Sequence, residues 1–376
     1  MYEGPFAQLC RDFGCSRKTG YDVVARFQAG GVDSLEDRSR RPHHHPLALR
    51  EEQIVELVAL RGQHPTWGPK KLRACLLRVG RPSPACSTIG TLLKREGLSV
   101  PRRRVHRTPP YTQPFVDCQG PNELWCIDFK GWFRTGDGVR VDPLTITDAR
   151  SRFLLRCQAL PAPTSQACYP VMVAAFQEYG LPRAIRSDNG SPFASVALGG
   201  LSRLAVWWIR LGIIPERIAP GRPDQNGRHE RMHLTLKMEG TQPPQANRRA
   251  QQAAFDRFRQ EYNYVRPHEA LGQCPPAQLY VPSPRPYPRR LPEVEYPSEF
   301  SVRQVRQNGE IKWKGKTVYL SEALVGEPVG LQPEDDRYSQ LWFGPIKLGL
   351  LDGYTHQLIA PKPPRTRKQG LPEVLV

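Results

Sequence analysis

The chain has no C-x-x-C pair, no uninterrupted apolar run of the ~18 residues that a membrane helix needs, and far fewer acidic than basic residues. Its nine cysteines are scattered. That spacing argues against a disulfide-stapled scaffold and fits a reducing compartment, where cysteine serves as a small apolar side chain. No signal-peptide pattern opens the sequence, so a soluble, cytoplasmic protein without a membrane partner is expected. The acid deficit is the strongest of these observations. Thirty-six Asp and Glu against 54 Lys and Arg leave a net charge of +18, which favours a polyanionic partner.

What is present is enough to build several cores. Hydrophobic residues make up 39% of the 376 positions, and that length predicts two or three domains. Proline is abundant, 39 residues, and it gathers between segments as linkers. Residues 1–42 read as a helix-turn-helix unit with a basic linker. Phe6 to Cys10 starts one helix, Gly14 makes the turn, Ser16 caps a second helix, and Tyr21, Val24 and Phe27 recur at helical spacing. Arg17, Lys18 and Arg26 lie on the polar face of that second helix. They face either DNA or, in a plain helical hairpin, solvent. Arg38, Arg40 and Arg41 form an arm suited to phosphates or a minor groove. His43-His44-His45 offers at most an adventitious metal site.

Residues 43–109 read as a second helical unit and linker. It has an apolar stripe at Ile54, Leu57 and Leu60, a helix opened by Pro69 with Lys70 and Lys71 in its first turn, and a third helix from Ser87 to Arg95. Arg102, Arg103 and Arg104 continue the basic theme. Residues 1–110 hold about 20 Lys and Arg against about 10 acids, more than half the net charge. From about residue 121 strands and helices alternate, which predicts a mixed-sheet α/β domain over 110–284. Residues 285–360 read as β only, a small barrel of about five strands with a hairpin signal at Asn308-Gly309. Residues 361–376 form a basic tail.

Three carboxylates stand out. Asp128 lies inside the apolar strand Leu124–Phe129, a costly place unless it is paired or binds a metal. Asp188 ends a strand beside Gly190, and Glu230 lies on a helix rich in Arg and His. Three carboxylates brought together repel by ~4 kcal/mol per pair at 4 Å, and Mg²⁺ relieves this by taking their oxygens. Two such ions activate a nucleophile and stabilise the leaving oxygen of a phosphodiester. Asp142 and Asp148 are rivals for the first position; strand context favours Asp128. His229-Glu230-Arg-Met-His233 also matches the H-E-x-x-H zinc pattern. The third ligand is missing from that pattern, and a zinc protease would leave the basic helices unexplained.

The motifs Trp125-x-x-Asp128, Ile185-Arg-Ser-Asp188-Asn-Gly190-x-Pro-Phe193 and Gly221-Arg-Pro-x-x-Asn226-Gly-x-x-Glu230 occur in order. They are followed by Tyr262-Asn-x-x-Arg266-Pro-His268-x-Ala-Leu-Gly272-x-x-Pro275-x-x-x-x-Tyr280. Over residues 110–284 this set resembles the bacterial insertion-sequence transposases of the retroviral-integrase superfamily, with a D-D-E catalytic core. The resemblance implies a ribonuclease H-like fold, with Asp128, Asp188 and Glu230 as catalytic and metal-binding residues. It implies two Mg²⁺ ions, replaceable by Mn²⁺, and no small-molecule cofactor. Double-stranded DNA, as element ends and target, would be the partner, bound by a homo-oligomer near a bacterial nucleoid. Cleavage at the ends and strand transfer would follow; the alternative is a catalytically inactive DNA-binding remnant. Lys237 and Arg266 are further candidates for DNA contact. One departure is the interval of 41 residues between Asp188 and Glu230, longer than the family's usual one, with the surplus expected as a helical insertion over Val196–Leu211.

Overall fold

The computed structural model describes residues 5–37, 48–99, 118–195, 198–218 and 227–359. The chain divides into two units, Met1–Glu56 and Leu57–Val376. The arms carrying Arg38, Arg40, Arg41, Arg102, Arg103 and Arg104, the His43–His45 run and the tail from Pro361 lie outside the described residues.

In the first unit, α1 (Phe6–Asp12) and α2 (Arg17–Gly30) form the expected hairpin. Ser16 caps α2 by accepting from the Thr19 N–H at 3.1 Å, and Gly14 makes the turn at φ 63°. The helices close because α2 has no side chain at Gly20, where a Cβ would stand 2.5 Å from the Cys10 sulfur. Tyr21, Val24 and Phe27, expected on an apolar face, are exposed.

In the second unit, α3 (Glu51–Gln63, from Leu57 onward), α4 (Pro69–Arg78) and α5 (Cys86–Arg95) bury Leu57, Leu72, Leu76, Ile89, Leu92 and Leu93. Pro69 occupies the first turn of α4, where its missing N–H costs nothing.

The central sheet consists of β1 (Leu124–Phe129), β2 (Phe133–Arg134), β3 (Arg140–Asp148), β4 (Leu154–Leu160), β5 (Ala184–Ser187) and β6 (Ile214–Arg217). β3 pairs antiparallel with β1, β2 and β4, while β1–β5 and β5–β6 are parallel. This is the mixed α/β sheet that the sequence predicts. α6 (Ser165–Tyr179) covers the face bearing Trp125 and Ile127. Met232 and Leu236 of α8 (Gly227–Gly240) and Phe255 and Phe258 of α9 (Arg248–Gln260) pack with Leu154, Cys157 and Ala159 of β4.

The expected insertion is not a loose addition. Parallel strands need a crossover, and α7 (Arg203–Arg210) is the crossover between β5 and β6. Trp207 and Trp208 are buried in the cluster that also holds Leu324, Phe343 and Leu348 of the C-terminal region. β6 falls at Ile214–Arg217.

The C-terminal strands are β7 (Ser301–Gln304), β8 (Glu310–Trp313), β9 (Lys316–Tyr319), β10 (Pro328–Pro333), β11 (Tyr338–Phe343), β12 (Ile346–Asp352) and β13 (Leu358–Ile359). Where the sequence suggested a small barrel, they form an antiparallel five-stranded sheet, β13-β12-β11-β10-β7, and a separate β8–β9 ribbon. The hairpin turn is Lys314-Gly315, both at positive φ, 44° and 82°, as a two-residue loop demands. Asn308-Gly309 instead links β7 to β8, strands of different sheets.

Candidate active site

The pairing of β1 with β5 sets the site. Leu124 stands opposite Ala184 and Cys126 opposite Arg186. The same register carried two residues further, one beyond the end of β5, would put Asp128 level with Asp188. Parallel neighbours in register point to the same face and lie ~4.8 Å apart. On the other side of β1, Asp128 pairs with Thr145 of β3, so Asp128 and Thr145 also share a face. Gly190 accommodates the second carboxylate. Its N–H donates to Asp188 Oδ1 at 3.1 Å, and a Cβ there would sit 3.0 Å from Asp188 Oδ2.

The rivals for the first position are engaged elsewhere. Asp142 takes a two-pronged bond from Arg140 at 2.7 and 3.0 Å. Asp148 is buried and accepts from the backbone N–H groups of Ser151 and Asn122, both at 2.7 Å.

Glu230 lies in the first turn of α8 and is exposed. The residues before it, 219–226, lie outside the described residues. Asp128, Asp188 and Glu230 are not drawn together as a group; among the described residues the side chains that converge are Asp128, His229 and His233, within 4.8 Å of one another. One turn apart on α8, the two histidines face β3. The Nε2 atoms of His229 and His233 lie 2.6 and 2.8 Å from Thr145 Oγ1, and His229 Nδ1 lies 3.2 Å from Thr147 Oγ1. The Thr145 hydroxyl donates to the Asp128 carbonyl at 3.1 Å, which leaves its two lone pairs for the two ring N–H groups. Burial pushes the His229 pKa well below its usual range, helped by His233. Burial, with the nearby Lys130 charge, takes His233 down to about 4.

Lys130, two residues beyond Asp128, escaped the sequence reading. It is half-buried, and its pKa is lowered by burial and then by the Lys237 charge. Its place just past a half-buried strand carboxylate was the available signal. Lys237 itself is exposed.

The other predicted basic residues separate into two groups. Arg17 and Lys18 are exposed on α2, whereas Arg26 is turned inward and bonds the Ser34 and Glu36 carbonyls. Lys70 pairs with Glu269 at 2.5 Å, although both remain exposed. Burial lowers the Lys71 pKa to about 8, with Arg266 repulsion adding to it. Arg266 is buried, ion-paired with Glu239 and set over the Trp67 ring.

The remaining motif residues position the sheet. Asn263 accepts from the Leu154 N–H at 2.8 Å and donates to the Leu154 carbonyl at 2.9 Å. Gln252 makes the same pair of contacts with Ala159 and Cys157. Both lie along the outer edge of β4. Tyr280 and Trp125 both donate to Asn122 Oδ1, at 2.9 and 3.0 Å.

Comparison with known proteins agrees with this layout. A homeodomain-like domain model matches residues 19–93, integrase core domain models match 119–223 and 211–276, and the C-terminal domain of IS481 family transposases matches 300–358. The insertion element IS476 uncharacterized 39.2 kDa protein of Xanthomonas euvesicatoria is 29% identical over 236 residues, 62% of this chain and 66% of that one. The insertion element IS407 uncharacterized 31.7 kDa protein of Burkholderia multivorans is 28% identical over 236 residues, 61% of this chain and 80% of that one. Among solved structures, the HTLV-2 integrase catalytic core domain in complex with magnesium aligns at 16% identity and TM-score 0.35, over 43% of this chain and 99% of that one. A simian T-cell lymphotropic virus intasome chain aligns at 18% identity and TM-score 0.37, over 82% of this chain and all of that one. No described helix is long and apolar enough to cross a membrane.

Proposed function

We propose that this chain is an insertion-element transposase of the IS481 kind, with helix-turn-helix and integrase-core domains, which binds its element's ends as a homo-oligomer and there cuts and rejoins double-stranded DNA. Asp128, Asp188 and Glu230 are the proposed metal ligands. The observation that supports this reading is the β1–β5 register, which pairs Cys126 with Arg186 and, carried two residues further, would bring Asp128 and Asp188 level. The donors are hard oxygens, which suit Mg²⁺ or Mn²⁺, and Gly190 leaves the space beside Asp188 that a Cβ would crowd. Glu230 is exposed one residue past the inward-facing His229, so its carboxylate is accessible to an ion and to DNA.

Two bound Mg²⁺ ions would supply a polarised nucleophile and charge stabilisation at the leaving oxygen. Asp128 and Asp188 hold their positions through the sheet, and Asp188 is oriented by the Gly190 N–H. Lys130 and Lys237 put positive charge beside the site, where a phosphodiester would approach. In the first step water attacks phosphorus and the 3′-oxygen leaves. In the second, the freed 3′-hydroxyl attacks a phosphorus of target DNA, and the target strand's own 3′-oxygen leaves. Arg17 and Lys18 are the described side chains best placed to meet DNA in the first unit.

The test is nicking of a labelled duplex that spans the DNA flanking this gene, with and without Mg²⁺. Asp188→Asn and Glu230→Gln are each expected to lower cleavage by more than the ~100-fold typical of losing an outer-shell partner. Duplex affinity should stay within about twofold, because neither change removes a phosphate contact. Binding without cleavage by the unaltered protein, in both Mg²⁺ and Mn²⁺, would leave a DNA-binding remnant as the surviving reading.

A further inference from the structure

The cluster of Asp128, His229 and His233 brings one ligand atom from each residue within 4.8 Å of the others. The cleavage reaction proposed above uses Asp128 but neither histidine. The H-E-x-x-H pattern lacked a third ligand in the sequence, and the fold supplies one from β1. The two imidazoles are one helical turn apart on the same face of α8, with ring centroids 4.7 Å apart. Their floor is already polar. Each ring has its Nε2 within hydrogen-bonding distance of Thr145, and Thr147 lies 3.2 Å from His229 Nδ1, a contact that an ion bound at that nitrogen would replace. Metal-bound histidines take such a partner on the nitrogen that does not ligate, which fixes the ring and its tautomer.

A donor set of two imidazoles and one carboxylate is not a magnesium set. Mg²⁺ takes oxygens and keeps its waters, whereas imidazole selects zinc-class ions.

We propose that Asp128, His229 and His233 form a site for one transition-metal ion of the zinc class, and that an ion held there withdraws Asp128 from magnesium and so inhibits strand cleavage. The inhibitory part rests on the reading of Asp128 as a magnesium ligand; the metal site does not. Glu230, exposed on a neighbouring face of α8, is not part of the site, and no peptidase chemistry is implied.

The test uses the full chain with His43, His44 and His45 replaced by Ala, because that run would bind zinc on its own. Metal-free protein is equilibrated with Zn²⁺ in excess Mg²⁺ and dialysed, and bound zinc is measured by atomic emission. Co²⁺ is added in parallel and followed by its visible absorption. About one ion per chain is expected. His233→Gln and Asp128→Asn should each weaken binding by at least ~10-fold, with circular dichroism confirming that both variants fold. Glu230→Gln should keep the zinc. In Mg²⁺-supported nicking, the Zn²⁺ concentration that halves the rate should rise by ~10-fold or more in His233→Gln, relative to that variant's own zinc-free rate. Absence of bound zinc in the His-run variant, or undiminished zinc in folded His233→Gln, overturns the site. Stoichiometric zinc in a protein that never nicks DNA would sustain the site while overturning the cleavage reading and the inhibition with it.

Discussion

Arg266 lies in the stretch that an integrase core domain model matches, yet its guanidinium is turned into the protein, paired with Glu239 and set over Trp67. Removing it strands a largely buried carboxylate. Arg266→Gln is expected to lower stability by ~3 kcal/mol in urea unfolding, and the double change with Glu239→Leu should recover much of the loss. Equal losses in the single and double variants would show that Arg266 acts outside this pair. Individual residues were unevenly legible in the sequence. Asp128 could be picked out because a lone carboxylate in an apolar strand is costly. What disposes of Asp142 and Asp148 are their hydrogen-bond partners, which spacing does not show. His229 and His233 were visible as a pair, but their third neighbour lies on a strand far earlier in the chain. Lys71 and Arg266 read as candidates for DNA contact, and packing shows Lys71 half-buried and Arg266 buried against Glu239.

At the level of elements, β4 is an outer strand whose free edge is occupied by α9 and the residues that follow it. Gln252 and Asn263 each offer an amide that imitates a neighbouring strand, accepting from an N–H and donating to a carbonyl. Asn263→Ala removes two such bonds at a buried place, worth ~1 kcal/mol each. The expected result is a loss of about 2 kcal/mol in stability and faster hydrogen exchange at the Leu154 amide. Unchanged exchange would mean that the edge is protected by other means. Helix and strand periods made most elements readable, including the Ser16 cap and the α4 start at Pro69. The misses were topological. The Asn-Gly signal marks a tight turn, but which strands it joins depends on sheets that do not yet exist at the level of local sequence. The helix expected over Val196–Leu211 is present as α7, and it serves as the crossover that the parallel strands β5 and β6 require.

For the molecule as a whole, charge and protonation set the terms. His268 donates from Nε2 to the Tyr262 carbonyl at 3.3 Å. Burial first, then the Lys71 and Arg266 charges, push its pKa down to about 3. The unfolded chain takes up that proton near pH ~6.5. This histidine's contribution is therefore complete above that pH and is lost as pH falls toward 3. By pH ~5 the loss amounts to about 2 kcal/mol. A melting curve followed from pH 7.5 to 5 should flatten by that amount in His268→Gln; an unaltered slope would place the acid sensitivity elsewhere. For DNA, affinity should fall linearly in log salt. Replacing Arg17 and Lys18 by Gln should lower the slope by ~2, while Lys71→Gln should leave it unchanged because that lysine is packed against the core. The net charge of +18 announced a polyanion, but which cations are available to meet it was decided by the fold.

The register between β1 and β5 has one more consequence. Side chains along a strand alternate in direction, so a slip of one residue would turn Asp128 toward the face of Trp125 and Ile127 and bury an unpaired carboxylate there. A chain that misaligns these two strands therefore loses its proposed chemistry and its stability together. The correctly assembled sheet serves as its own proofreader, because the residues that would break DNA also penalise the misfolded alternative.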